Sequence, residues 1–431
     1  MAGANGKTLI SGGRVIDPAN GRDDKFDVLI DQGLIAAVDR PGSIPGDGAG
    51  RVDASGMWVT PGFVDMHVHL REPGYEYKET IASGCRSAVA GGVTSVACMA
   101  NTNPVNDNGA VTQLILARAR AAGLARVYPI GALSVGLEGE HLAEFGEMYE
   151  AGIVAVSDDG RPVMNSGLMR RALEYARMFG FPVIAHEEDL CLSEGGVMNE
   201  GFTSMRLGLS GIPAAGEAAM VGRDIELARY TGGRLHLAHL STAQSVELVR
   251  RAKDEGLEVS AEAAPHHFIL DETAADGYNT NAKMYPPLRT AKDVEAIRAG
   301  LADGAIDTIA TDHAPHHHDE KVGEFDRAAF GIVGLETMLP LTMTLVREGI
   351  LSAERMVDAM STAPARNLGL EAGTLSVGVA ADLTVLDPEA EWRLEPAALE
   401  SKSKNTPFGG WGLKGRVERT MVGGRTVWEA A

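Results

Sequence analysis

Eight short apolar runs, each followed by a helical pattern, constrain this chain more than any other feature. They occupy residues 59–69, 93–100, 126–133, 153–158, 181–186, 234–239, 258–264 and 306–312. Runs of this length suit strands, and segments such as 166–178, 213–230, 241–256 and 291–302 suit the helices that cross over between parallel strands. A βα unit repeated at intervals of roughly 30 residues predicts a parallel sheet. Eight units favour closure into a (β/α)8 barrel, which needs about 250 residues. With 431 residues, 45% of them apolar, the chain has material for that core and for a smaller second unit.

The two ends supply the second unit. Residues 8–39 and 373–429 carry alternating apolar positions broken by Gly-Gly, Asn-Gly and Val-Gly, the pattern of antiparallel strands joined by turns. The expected architecture is α/β, with a barrel over residues 58–367 and a small β-domain assembled from residues 1–57 and 368–431. The first 13 residues lack a basic segment followed by an apolar run, and no later run approaches the length that spans a bilayer, so a cytoplasmic protein is expected. Cys85, Cys98 and Cys191 are odd in number and far apart, which leaves neither a disulfide framework nor a Cys-x-x-Cys motif and suggests buried thiols. A formal charge of −20 disfavours nucleic acid and membrane partners. It also means that an anionic substrate would need a dedicated cation.

Chemistry gathers at the strand ends. In Asp65-Met66-His67-Val68-His69 the two histidines are two residues apart, and the period of a strand turns both to one face. Other strands end in Asp158-Asp159, His186-Glu187, His239-Leu240 and Asp312-His313. In such barrels the carboxyl-terminal rim is where active sites are built, so these groups would converge there. Imidazole and carboxylate without thiolate suit zinc, manganese, cobalt or iron, with zinc the first choice. Four histidines and two carboxylates exceed one tetrahedral site and fit two ions bridged by a carboxylate. No Gly-x-Ser-x-Gly elbow accompanies the histidines, and the Gly-Gly pairs fall at turns rather than in a phosphate cradle.

The run Pro61-Gly62-Phe63-Val64-Asp65-Met66-His67-Val68-His69-Leu70-Arg71-Glu72-Pro73-Gly74 resembles the signature of the dihydroorotases of the amidohydrolase superfamily. Asn281-x-x-Met284-x-Pro286-Pro287-Leu288-Arg289, Asp312-His313-Ala314-Pro315-His316 and Ser401-Lys402-Ser403-Lys404-Asn405-Thr406-Pro407-Phe408 resemble later blocks of that family in the same order. The resemblance implies that His67, His69 and Asp312 bind one metal and that His186 and His239 bind a second. It makes Asp159, rather than the competing Asp158, the bridge. Many amidohydrolases bridge with a carboxylated lysine, but no lysine lies between Lys78 and Lys253, which fits an aspartate-bridged branch.

The resemblance also implies that Arg71, Asn101 and His316 clamp a substrate carboxylate, that Asn281 touches the ring, and that Asp312 shuttles the proton. Ala100 stands where the family usually has proline. The implied reaction is the reversible hydrolysis of L-dihydroorotate to N-carbamoyl-L-aspartate in pyrimidine (UMP) biosynthesis. The alternatives are a related cyclic amidase, an allantoinase or hydantoinase, and a non-catalytic scaffold for aspartate transcarbamoylase. Homo-oligomerisation and association with that transcarbamoylase stay open, as do the roles of His266 and His267. Structural roles are expected for His141 and His236, and exposure for His313, His317 and His318. Loops after strands two, five or seven are candidates to cover the site.

Overall fold

The protein is described by a computed structural model over residues 6–430; residues 1–5 and 431 of the expected terminal domain lie outside the described residues. Parallel pairing joins β1 (Phe63–Val68), β2 (Val93–Cys98) and β3 (Arg126–Pro129). A second parallel run joins β4 (Val156–Ser157), β5 (Val183–Ala185), β6 (Leu235–Leu237), β7 (Val259–Ala263) and β8 (Thr308–Ile309). Single parallel bridges close the two gaps, Gly131 to Val156 between β3 and β4, and Val68 to His313 between β8 and β1. The eight-stranded barrel is therefore complete.

Polar residues at the helix starts explain why the crossovers begin where they do. Thr80, Asn108, Asn165, Thr242 and Thr290 accept backbone N–H groups with their side chains at the starts of Ile81–Ala90, Gly109–Ala122, Ser166–Ala176, Ala243–Asp254 and Ala291–Asp303. Each helix then buries one face; Val246, Val249 and Ala252 do so in Ala243–Asp254. Their side chains join outward-facing barrel residues such as Leu235, Leu237, Ala261 and Ile309 in the main core. A separate cluster, which includes Met66, Ala97, Ile130, Ala155, Ile184, Ala238 and Ala310, forms an apolar plug drawn from or next to seven of the strands.

Both ends of the chain meet in one six-stranded sheet, whose order is Arg425–Glu429, Gly412–Val422, Leu383–Arg393, Trp58–Pro61, Arg14–Asp17 and Arg22–Lys25. A four-stranded sheet of Leu34–Asp39, Asp27–Asp31, Lys7–Ser11 and Gly50–Asp53 packs its apolar face against it through Ile10, Val28, Ile30, Val59 and Leu383. Two expectations are corrected. The end segments are not purely antiparallel, because Lys7–Ser11 pairs parallel with Gly50–Asp53 and Arg14–Asp17 pairs parallel with Trp58–Pro61. The run 59–69 is two strands divided at Gly62, where a Cβ would meet the Thr94 side chain at 2.2 Å. Alternation alone could not reveal either, since it reports which face is buried and not the direction of the neighbour.

Gly91 fixes the approach of the helix Ile81–Ala90 to the segment after β8. A Cβ on it would lie 2.0 Å from the Leu335 carbonyl oxygen, a backbone atom with no flexible end to move aside. Gly91→Ala is expected to cost about 1–3 kcal/mol through overpacking. It should appear as a clear fall in melting temperature with the metal content of the folded fraction unchanged. A variant that melts with the parent would show that the segment at Leu335 yields freely.

Candidate metal centre

The six expected ligands sit on or just beyond the carboxyl ends of five strands. His67 lies within β1, with His69 just past it, while Asp159, His186, His239 and Asp312 follow β4, β5, β6 and β8. A bulge shapes the first pair: between Asp65 and Val68, β1 advances three residues against two on β2. None of the six is more than 6% exposed. Their donor atoms converge in two overlapping groups, His67 with Asp159 and His239, and His67 with His69 and Asp312, in each of which all atoms lie within 4.8 Å. His186 completes the set, its Nδ1 lying 2.9 Å from His239 Nε2 and 3.5 Å from Asp159 Oδ1.

Asp159 stands in the middle, 3.3 to 3.5 Å from nitrogens of all four histidines. Burial alone would raise its carboxyl, but the His67 charge and the hydrogen bonds from His186 and His239 hold it well below the usual carboxylate range. The counterpart is His67, which burial would lower yet Asp159, Glu262 and Asp312 hold well above its ordinary value. The neighbouring Asp158 faces elsewhere. It accepts the Leu133 and Ser134 N–H groups at 2.8 and 2.9 Å and the Ser134 hydroxyl, and burial pushes it up to about 6. Geometry thus separates the two aspartates that the sequence left adjacent.

Backbone strain marks the same rim. Arg71, His239 and Asp312 have φ of 63°, 30° and 45°, a region that costs non-glycine residues on the order of 1–3 kcal/mol each. Asp65, two residues before His67 on β1, accepts from the Thr311 N–H and Oγ1 and from the His67 N–H, tying β1 to the end of β8.

A cavity of about 700 Å³ opens over this cluster. Its wall includes Arg71, Asn101 and His316, and Arg71 is the one lysine or arginine among its lining residues. Arg71 Nε donates to the Pro315 carbonyl at 3.2 Å, and its terminal nitrogen lies 3.4 Å from His316 Nε2. Burial and the charges of Arg71 and Lys78 push His316 down to about 3, so its imidazole is neutral at pH 7. Asn101 Oδ1 accepts from His69 Nδ1 at 2.9 Å, which leaves its amide nitrogen for another acceptor. Asn281 is not brought to this cavity. It lines an adjoining depression with Tyr77, His316 and His317.

Other expectations are corrected here. His313 is fully buried, accepting the Gly334 N–H at Nδ1 with Nε2 3.5 Å from Glu79, because it closes the barrel against β1. Cys191 is exposed, whereas Cys85 and Cys98 are buried. The loop after β5 covers part of the cavity through Leu190 and Ser193–Gly196, the loop after β7 through Met284 and Tyr285, and the loop after β8, which the sequence did not single out, through Phe330. His266 and His267 are buried behind the cluster, where His267 Nε2 donates to the Pro286 carbonyl at 3.0 Å.

Sequence reasoning missed three residues outright. Glu262 on β7 reaches His67 Nδ1 at 2.6 Å and His236 Nε2 at 3.1 Å. Tyr285 stacks on His186 with ring centroids 5.3 Å apart. Asn405, from the C-terminal motif, accepts the His316 N–H and donates to the Ala314 and Gly331 carbonyls at 3.0 Å each. The one ionisable residue in the strand Val259–Ala263 was the available signal for Glu262.

A model of the amidohydrolase family matches residues 58–427. Dihydroorotases from Syntrophotalea carbinolica and Anaeromyxobacter sp. strain K are 57% and 60% identical to this chain across 98% of it, and the matches cover 99% and 98% of those proteins. The chain belongs to the dihydroorotase family of amidohydrolases. Among solved structures, an L-hydantoinase (dihydropyrimidinase) from Arthrobacter aurescens superposes with a TM-score of 0.88 at 26% identity, covering 98% of this chain and 96% of that one. A D-hydantoinase from Thermus sp. gives 0.81 at 25% identity over 98% and 96%.

Amidohydrolases depend on metal, and the donors of this dihydroorotase-family chain fit that requirement. His67 Nε2 is buried without a hydrogen-bond partner while its Nδ1 is engaged by Glu262, so the neutral imidazole would aim a lone pair at the cluster. No described helix is long and apolar enough to cross a membrane.

Asp159→Ala removes the anion that faces all four imidazoles and is expected to lower metal stoichiometry and turnover together. Because a side-chain carboxylate needs no carbon dioxide, the metal-loaded parent should work equally well with and without bicarbonate after degassing. Full metal content in the variant, or rescue of the parent by bicarbonate, would mean that another group joins the ions.

Proposed function

We propose that this chain interconverts L-dihydroorotate and N-carbamoyl-L-aspartate, the cyclic-amide step of de novo pyrimidine (UMP) biosynthesis. One observation carries the reading beyond amide hydrolysis in general: the Arg71 guanidinium, fixed by Pro315 and flanked by neutral His316, stands in the wall of the cavity that is lined by five of the six clustered ligands, His69, Asp159, His186, His239 and Asp312. A planar fork of this kind matches a carboxylate. It also meets the need for a local cation in a chain of net charge −20. The likeness to hydantoinases favours a second reading, a cyclic amidase for rings without a carboxylate, for which Arg71 would have no task. A scaffold with no activity has no use for six filled ligand positions.

In this reading His67, His69 and Asp312 would hold one zinc ion, His186 and His239 would hold a second, and Asp159 would serve both. When bound, they polarise the scissile carbonyl and make water a nucleophile at neutral pH. The chain's own groups do the rest. Asp312 takes a proton from the attacking water and gives it to the departing ring nitrogen; in ring closure it takes one from the carbamoyl nitrogen. Arg71, the free amide of Asn101 and His316 fix the exocyclic carboxylate, which holds the reacting carbonyl in one orientation. Asn281 joins the ring contacts only if its loop closes over the substrate. The catalytic unit lies within residues 58–367, apart from the strand Trp58–Pro61 that pairs in the terminal sheet, and the described parts of 1–57 and 368–431 form the supporting β-domain. Assembly with further copies, or with aspartate transcarbamoylase, fits the reading and is measured by sedimentation of the chain alone and mixed with that enzyme.

Turnover on a panel of dihydroorotate, hydantoin, dihydrouracil and allantoin tests the assignment, with dihydroorotate expected to lead. Arg71→Lys should lower kcat/KM for dihydroorotate by roughly 10- to 100-fold, the loss of a charge-assisted bond, while metal content and any residual action on rings without carboxylate are kept. Unchanged dihydroorotate kinetics would move the clamp elsewhere. Asp312→Asn should fold and keep most of its metal but lose about 10²- to 10⁴-fold in turnover, because an amide cannot carry the proton. Activity near the parent's would remove Asp312 from that role.

A further inference from the structure

Glu262 stands behind the centre rather than in it, yet it touches both halves. Its side chain is 1% exposed and projects from β7, between β6 and β8 in the barrel. Oε1 accepts from His67 Nδ1 at 2.6 Å and from the backbone N–H of His239 at 3.2 Å. Oε2 accepts from His236 Nε2 at 3.1 Å, and His236 Nδ1 lies 2.8 Å from Ser260 Oγ. His67 and His236 are both 0% exposed, so no solvent competes for these bonds.

Three consequences follow from donor and acceptor bookkeeping. A carboxylate only accepts, so His67 keeps a proton on Nδ1 and, once neutral, presents the lone pair of Nε2 to the cluster. The same carboxylate raises the basicity of that lone pair. And the His239 backbone, held at φ 30° where a branched or bulky residue is strained, has its N–H fixed by Glu262 rather than by a sheet ladder alone. His67 belongs to both groups of converging donors, and His239 belongs to one of them.

We propose that Glu262 is the positioning residue for both halves of the metal centre, setting the tautomer of His67 and the backbone of His239 with one carboxylate oxygen, while His236 holds the other oxygen so that the carboxylate cannot turn. The proposal rests on the metal-centre reading above. It makes the buried pair of Glu262 and His236 a part of ion binding, although neither touches an ion or substrate.

The experiment titrates zinc into the metal-stripped full chain against a chromophoric chelator, for the parent, Glu262→Gln and His236→Gln. It also compares the visible spectra of the cobalt-loaded proteins, which report ligand geometry. Glu262→Gln keeps the volume and an acceptor for His67 but removes the charge. It is expected to weaken zinc binding by about 10- to 100-fold at both ions and to alter the cobalt spectrum, with the circular dichroism of the metal-free protein unchanged. His236→Gln leaves the bonds to His67 and His239 in place and replaces the rigid ring donor to Oε2 with a flexible amide. It is expected to weaken zinc several-fold, and it carries the test if Glu262→Gln does not fold. Parent-like zinc affinity and cobalt spectra in the folded variants overturn the proposal and leave the metal centre standing. Weakening at one ion only overturns the claim on both halves. A parent that binds no zinc overturns the metal-centre reading, and this proposal with it.

Discussion

The burial of the Asp159 carboxylate among four imidazoles is the interaction to which the rest of the rim is fitted. Charges taken out of water cost several kcal/mol each unless they are paired and hydrogen-bonded. Here each imidazole faces Asp159 within 3.5 Å, and the outward nitrogens of His67 and His69 are taken up by Glu262 and Asn101. Carboxylates beside the centre are treated differently according to their neighbours. Burial pushes Asp158 up to about 6 against the backbone N–H groups and hydroxyl that favour its charge, while Asp159, facing imidazoles, stays ionised. Two adjacent aspartates thereby hold opposite preferences for a proton, a separation that environment rather than sequence imposes.

The barrel and its rim were legible because both depend on patterns that repeat. Eight apolar runs announce eight strands, and residues at strand ends fall on one rim whatever the loops do. The strand-end histidines and aspartates therefore converge as the sequence suggests. What stayed hidden depends on contacts between distant segments. His313 reads as a loop residue because it follows Asp312 in a polar stretch, but it pairs with Val68 to close the barrel and so is buried. Asn281 sits within a motif that resembles the family's, yet the fold of residues 272–282 sets it in the adjoining depression. Glu262 was passed over as the one charge in its strand, since alternation gives its face without naming what lies opposite. The parallel pairing within the terminal sheets escaped for the same reason: partner and direction are properties of the assembled sheet.

Hydantoinases share this fold closely at 26% identity, so the barrel by itself does not choose a substrate. In the proposed reading choice resides in the short stretch after β1, where Arg71 has a left-handed backbone conformation and is tied to Pro315 on the neighbouring loop after β8. A guanidinium on a free loop would lose rotamer entropy on meeting its ligand; one already fixed loses little. The strain at Arg71 is thus spread over contacts that the ligand does not have to supply.

Asn405 gives the chain an order of assembly. All six expected ligands, from His67 to Asp312, precede it, but the backbone of His316 and the carbonyls of Ala314 and Gly331 are held by its side chain, and the strand Trp58–Pro61 has its antiparallel partner only in Leu383–Arg393. During synthesis the N-terminal part emerges first. A nascent chain would therefore possess every group of the metal cluster before it possesses the brace that fixes the backbone of His316, and in the proposed reading selectivity would be the last property of the enzyme to arrive.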